Sequence, residues 1–321
     1  MILASRLRTV QIFFLIAVCL GTALAQSTDA GKGTATPLPT PGLPLIDEPL
    51  KIDTTLVDIP VSVWSKDKRF VTNLTKDDFR IYENGILQKT DYFADTEQQF
   101  TVVILLDLSG SMWKNIEEIK DACLSFIDRL RPNDRIAVIT FSDEIHVLVR
   151  DMKDRDGLRK AIKKLSVAEG TTLLYPAVEA VSQRIMSRIS GRKALILFTD
   201  GNDTTGSRRI GEPSRSTYQT SIQEAVKSSS LVFCVQYQPE LQGFYDTGDA
   251  YLNDIAKLTG GRVFRGGVSA AFFTVADELR YRYSIGYYPE KPAKPNESRK
   301  LEIKVNKPNV IINARQFYIG H

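Results

Sequence analysis

Histidine, cysteine and tryptophan are scarce: two, three and two residues in a chain of 321. A zinc centre draws on about four nitrogen or sulfur ligands, and His146, His321, Cys123 and Cys234 lie too far apart along the chain to suggest one. The same shortage leaves a serine hydrolase without a base beside its nucleophile. Ser109 stands in Leu-Ser-Gly-Ser, not in a Gly-x-Ser-x-Gly elbow. No Gly-x-Gly-x-x-Gly follows a strand pattern, and there is no Walker loop. Asp143 and Glu144 read as closing a turn, not as a glycosidase pair. These absences argue for a protein that is not an enzyme, with a Mg-dependent hydrolase as the remote alternative. With Cys19 in the leader, the two remaining cysteines build no disulfide framework, and spacing leaves their pairing open. The formal charge is only +4, and Arg6 and Arg8 of the leader account for two of those charges. So balanced a chain gives no reason to expect nucleic acid.

A long hydrophobic run is missing too. The apolar stretch Ile12 to Leu20 is too short to span a bilayer comfortably. With Arg6 and Arg8 before it and Ala23-Leu24-Ala25 after it, residues 1–25 read as a secretory signal, with no membrane span in the mature chain. The expected location is exported: periplasmic, cell surface or secreted. Val18 is too large for a lipoprotein site at Cys19. Residues 26–50, rich in Pro, Thr, Gly and Ser, read as a flexible linker.

From residue 51 the chain is patterned. Residues 51–98 read as β: Leu56 to Val63 alternates, with Pro60 suggesting an edge strand. Phe79 to Tyr82 runs into an Asn84-Gly85 hairpin turn, with Gln88 to Phe93 returning. Residues 99–282 alternate strands with helices, as in a doubly wound, mostly parallel α/β sheet covered on both faces. Strands are expected at Phe100 to Leu106, Arg135 to Phe141, His146 to Val149, Ala194 to Phe198, Leu231 to Tyr237 and Arg262 to Arg265. Helices are expected near Lys114 to Leu130, Asp156 to Leu165, Leu173 to Ile189, Tyr218 to Ser229, Tyr251 to Leu258 and Ser269 to Tyr281. Residues 283–321 revert to β, at Tyr283 to Tyr288, Leu301 to Val305 and Val310 to Phe317. Each flank is too small to bury a core alone, so the α/β block is expected to be inserted in one small β-sandwich-like domain.

Two buried-strand patterns end in acids. Thr101 to Leu106 breaks off into Asp107-Leu108-Ser109-Gly110-Ser111, and Lys193 to Phe198 runs into Thr199-Asp200-Gly201-Asn202. Between them lies the polar loop Glu169-Gly170-Thr171-Thr172 before Leu173-Leu174-Tyr175. Carboxylate and hydroxyl oxygens at strand ends form a donor set suited to a hard divalent cation. This order of motifs resembles the metal-ion-dependent adhesion site of von Willebrand factor A domains. Asp78-Phe79, Glu83-Asn84-Gly85 and Tyr283-Ser284-Ile285-Gly286-Tyr287 further resemble the secreted group of these domains described from Acidobacteria.

The resemblance implies that Ser109, Ser111 and Thr172 bind Mg2+ or Mn2+ directly, with Thr171 as the alternative threonine. Asp107 and Asp200 act directly or from behind those ligands, depending on state. The open coordination position would take an Asp or Glu carboxylate of a protein partner, with Trp113, Thr171 and Asn202 on the surrounding rim. The expected function is therefore metal-dependent adhesion or scaffolding; the alternative is a structural envelope protein whose metal only braces loops. In this family the helix after the last strand of the sheet shifts when the metal site engages a ligand, and Ser269 to Tyr281 is its counterpart. Nothing in the sequence indicates an oligomeric state.

Overall fold

A computed structural model describes residues 56–95, 98–149, 151–167, 171–204, 216–236 and 246–320. The predicted leader and linker, Glu169-Gly170 and the loop residues 205–215 lie outside them.

The α/β part is built on a six-stranded sheet. In chain order its strands are β5 (Phe100–Asp107), β6 (Arg135–Phe141), β7 (Ile145–Val147), β8 (Arg192–Thr199), β9 (Leu231–Gln236) and β10 (Val263–Arg265). Their spatial order is β10-β9-β8-β5-β6-β7, and only the edge strand β7 is antiparallel. β5 is buried along its whole length, which explains its unbroken apolar run. Val102, Ile104 and Leu106 point to one face, under α1 (Ile116–Arg129), α2 (Arg155–Lys163) and α6 (Val268–Arg280). Val103 and Leu105 point to the other, under α3 (Leu174–Arg184), α4 (Tyr218–Lys227) and α5 (Asp246–Thr259). The predicted stripe Phe272, Val275, Ala276 and Leu279 is buried on α6.

Cys123 of α1 and Cys234 of β9 belong to these opposite layers, and both are free and buried. The pairing question is thereby settled against a disulfide. Burial pushes both thiols up, Cys123 to about 12. Thiolate is the reactive form, so a maleimide should label neither cysteine in the native protein and both after denaturation. Rapid native labelling read by peptide mass spectrometry would contradict this packing.

The flanking segments form two further four-stranded sheets. One has the order β13-β1-β11-β4, from β13 (Val310–Ala314), β1 (Val57–Ser65), β11 (Tyr283–Tyr287) and β4 (Tyr92–Ala94). The other has the order β14-β12-β2-β3, from β14 (Phe317–Ile319), β12 (Ser298–Val305), β2 (Phe79–Glu83) and β3 (Ile86–Gln88). Each sheet mixes strands from before and after the α/β block, and one core joins them, with Ile59, Val61, Phe79, Ile81, Tyr283, Ile285 and Leu301 inside. The β2–β3 turn is the expected one: Asn84 and Gly85 take φ values of 48° and 83°, as a type I′ hairpin requires.

Three local expectations are corrected. Pro60 lies in an interior strand, not at an edge. It is tolerated because β13 pairs only from Val61 onward, so no ladder bond is asked of Pro60 on that side. The return from the hairpin ends at Gln88, and Tyr92–Ala94 crosses to the other sheet to pair with β11. The stretch Val310 to Phe317 is two strands. Its break falls at Arg315, a buried residue that bonds Ser229 Oγ (3.0 Å) and the carbonyl of Asp58. Helix bounds shift as well. A 3-10 turn, Gly110–Asn115, precedes α1; another, Met186–Arg188, follows α3; and α5 starts at Asp246, ahead of the expected Tyr251.

Candidate functional site

β5 and β8 run side by side and parallel, with Leu106 opposite Phe198. After β5 the chain crosses to α1 on one face; after β8 it crosses to α4 on the other. Strand order reverses between them, and the crevice outside their carboxyl ends is where open α/β sheets place ligands. Asp107 ends β5, and Asp200 follows the last residue of β8.

Asp107 is fully buried. Its Oδ1 accepts the backbone N–H of Ser109 (2.9 Å) and its Oδ2 the hydroxyl of Thr199 (2.8 Å). Thr199 Oγ1 in turn accepts the N–H of Gly201 (3.1 Å), so one hydroxyl ties the two strand ends together. The Ser109 and Ser111 hydroxyls lie 3.2 Å apart, at the start of the 3-10 turn. Asp200 Oδ1 accepts the N–H of Asn202 (2.9 Å). Thr172 is buried and Thr171 half-buried. The N–H of Thr172 donates to Thr204 Oγ1 (2.7 Å), and its carbonyl accepts the N–H of Thr204 (2.9 Å). The N–H of Tyr175 donates to Asp203 Oδ1 (3.1 Å). Asn202 is exposed; the side chain of Trp113 lies outside the described residues.

Burial pushes the Asp107 carboxyl up to about 6; hydrogen bonds from Ser109 and Thr199 oppose the rise and the charge of Asp200 adds to it. No basic side chain is among the groups that act most strongly on it. Two carboxylates at adjacent strand ends with hydroxyls around them, and no basic group among the strongest influences on Asp107, fit a divalent cation with oxygen ligands. Among the described residues no cluster of three His, Cys, Asp or Glu offers a different kind of site.

The motifs themselves assign no structural role to four residues of this arrangement. Thr199, Asp203 and Thr204 flank the Asp200 motif, and hydroxyls and acids next to a strand-end acid were a signal available in the sequence. Gly248 was not legible. It lies in the first turns of α5, against the backbone of Gly201 (φ 88°): a Cβ at Gly248 would stand 2.6 Å from the Gly201 carbonyl oxygen. Gly248→Ala must therefore push the Asp200 turn aside, at about 1–3 kcal/mol for overpacking. Alanine's better helix propensity returns at most about 1 kcal/mol. The expected outcome is a lower melting temperature and Mn2+ binding weakened severalfold. Unchanged melting and unchanged calorimetric affinity would show that the turn has room.

Comparison with known proteins follows the same lines. The model of the family described as von Willebrand factor type A domain matches residues 101–278, more than half of the chain. Uncharacterized protein sll0103 of Synechocystis sp. is 30% identical over 118 residues, 35% of this chain and 27% of that protein. Inter-alpha-trypsin inhibitor heavy chain H4 of Homo sapiens is 27% identical over 194 residues, 56% of this chain and 20% of that one. The chain thus aligns with about a fifth to a quarter of the length of these relatives. Among solved structures, von Willebrand factor type A from Catenulispora acidiphila aligns at a TM-score of 0.47 and 14% identity, covering 83% of this chain and 74% of that one. Proximal thread matrix protein 1 from the mussel byssus, with a zinc-occupied MIDAS motif, aligns at 0.48 and 17%, covering 62% and 50%.

Proposed function

Since the chain belongs to the von Willebrand factor type A domain family, we propose that it is an exported binding module in which Asp107, Ser109, Ser111, Thr172 and Asp200 hold Mg2+ or Mn2+. The bound cation captures an Asp or Glu carboxylate of a protein partner. The observation that carries this reading is the pair of buried acids at adjacent strand ends, with hydroxyls and the second acid, not a basic side chain, as the charged and polar groups that act most strongly on Asp107. Two carboxylates balance the cation's charge and the hydroxyl ligands are neutral, so an open position stays electrophilic toward an anionic oxygen. Asn202 and the 3-10 turn bearing Trp113 form the rim.

A purely bracing metal fits less well. The three loops are already tied by direct bonds, Thr199 to Asp107, Thr204 to Thr172 and Asp203 to Tyr175. The cation is left free for recognition. Among the described residues the histidine, His146, stands on the edge strand β7, 3.5 Å from Glu144, and not beside Ser109. The test is calorimetry of the purified chain with Mn2+, followed by a carboxylate-bearing partner captured from the source envelope in Mg2+ and released by EDTA. One-site binding with EDTA-sensitive capture is expected; capture indifferent to EDTA would leave the metal no part in recognition.

The same reading takes residues 1–25 as signal peptide, 26–50 as linker, and 51–98 with 283–321 as one β domain interrupted by 99–282. The mixed origin of both outer sheets supports it. Deleting 100–282 and joining the ends should leave a folded β protein with cooperative melting. A disordered product by circular dichroism would make the flanks dependent on the α/β part. No helix among the described residues is long and apolar enough to cross a membrane.

A further inference from the structure

Away from the strand-end acids, α4, α5 and β14 enclose an open groove of about 450 Å3. Its floor is apolar, from Ile222 and Val226 of α4, Leu258 of α5 and Phe317 and Ile319 of β14, with Gln219, Gln223 and Ser298 also lining it. Asp254 of α5 is the one charged side chain among the lining residues; it is exposed, and its Oδ2 accepts the Tyr218 hydroxyl at 2.8 Å.

The strand that forms one side is an edge. Among the described residues no strand pairs with β14 on the side away from β12. Register shows which of its groups face outward. Tyr318 sits opposite Arg299, the carbonyl of Gln316 accepts the N–H of Leu301 (2.7 Å), and the N–H of Gly320 donates to Glu297 (2.9 Å). Residues 316, 318 and 320 therefore turn their backbone groups toward β12. Alternation turns the N–H and C=O of Phe317 and Ile319 to the open edge. The side chains of Phe317 and Ile319 line the groove, so backbone valence and apolar contact lie at one place.

We propose that this groove binds an extended peptide segment of a protein partner, carrying an apolar side chain two residues from a Lys or Arg and added as a strand beside β14. Main-chain bonds to Phe317 and Ile319 would set its register. Alternate side chains would then enter the groove, which is how strand addition combines affinity with specificity. The apolar residue meets Ile222, Val226 and Leu258, and the basic residue meets Asp254. A second copy of this chain suits the groove less well: its own edge strand, Phe317-Tyr318-Ile319, carries no Lys or Arg to meet Asp254. The chemistry sought is opposite to that of the cation site, which takes an acidic group, and the groove needs no metal.

The experiment uses the full chain in EDTA, so that its outcome is separate from that of the cation reading. The probe is a dye-labelled heptapeptide, Ser-Val-Ser-Lys-Ser-Val-Ser, which puts valine and lysine on one strand face, with a twin in which glutamate replaces lysine. Fluorescence polarisation should show saturable binding of the lysine peptide, about tenfold weaker binding of the twin, and a similar loss for the lysine peptide on Asp254→Lys. Asp254→Asn, which keeps an acceptor for Tyr218, should fall between. Hydrogen exchange should slow at the Phe317 and Ile319 amides when the peptide is bound. Equal binding of both peptides, an affinity indifferent to either Asp254 variant, or unprotected amides at Phe317 and Ile319 would each overturn the proposal.

Discussion

Asp107→Asn should weaken Mn2+ binding at least about a hundredfold, the upper end of what losing even a supporting group costs a metal site. It should do so without unfolding the protein. Asparagine has the shape of aspartate, so its carbonyl can still accept the Ser109 N–H now held at 2.9 Å. The amide nitrogen would face Thr199 Oγ1, which can accept from it by releasing its own proton to another acceptor. What vanishes is a negative charge buried beside Asp200, whose proximity already works against ionisation of Asp107. The metal-free variant should therefore melt no lower than the metal-free wild type. Adding Mn2+ at about a hundred times its dissociation constant should stabilise the wild type by about 2.7 kcal/mol and the variant by almost nothing. Calorimetry with paired melting curves measures both. One-site binding that survives in Asp107→Asn would move the cation away from β5.

Much of this arrangement is local in sequence and was legible there. An apolar run that is buried on both faces shows as an unbroken stretch, as in Thr101 to Leu106, and an acid at its end marks the carboxyl edge of a sheet. Asn84-Gly85 is legible because a type I′ hairpin needs positive φ at both central residues, which Asn-Gly supplies at little cost. What escaped depends on partners far along the chain. Pro60 signals an edge, yet β13 simply starts one residue later, at Val61. The break at Arg315 has no turn signal; it follows from bonds to Ser229 and Asp58, residues from different parts of the fold. Gly248 resembles any helix-weakening glycine until the Gly201 backbone is placed against it. Periodicity reports which face of an element is buried, not what it is buried against.

The same limit applies to the junction of the two parts of the fold, where the second large effect is expected. Glu278, near the end of α6, is fully buried. It pairs with Arg282 (3.0 Å) and Arg262 (3.0 Å) and accepts the Ser62 hydroxyl of β1 (3.3 Å). Arg282 reaches Ser62 Oγ (2.6 Å) and the carbonyl of Gly260 (2.8 Å), and Asn313 of β13 donates to that same carbonyl (3.0 Å). Burial pushes the Arg282 guanidinium down to about 10 against the pull of Glu278. Glu278→Met leaves that cation buried without its carboxylate, a change that costs about 3–5 kcal/mol. Adding Arg282→Met removes the stranded charge, and apolar replacement of a whole buried pair is often close to neutral. The double variant should thus be more stable than Glu278→Met alone, by at least about 2 kcal/mol in urea unfolding. Two single effects that merely add would mean the pair is not an energetic unit. The comparison also bears on movement. α6 leads through Tyr281 and Arg282 directly into β11, so any shift of this helix along the sheet must break the Glu278 cluster or drag the outer sheet with it. If the cluster holds α6 in one position, the double variant frees the helix while leaving the strand-end acids untouched, and partner affinity at saturating Mg2+ should change severalfold. An affinity equal to that of the wild type would mean that α6 is fixed by its apolar contacts with α1, such as Phe272 against Phe126 at 5.6 Å, and that the metal site works as a static clamp.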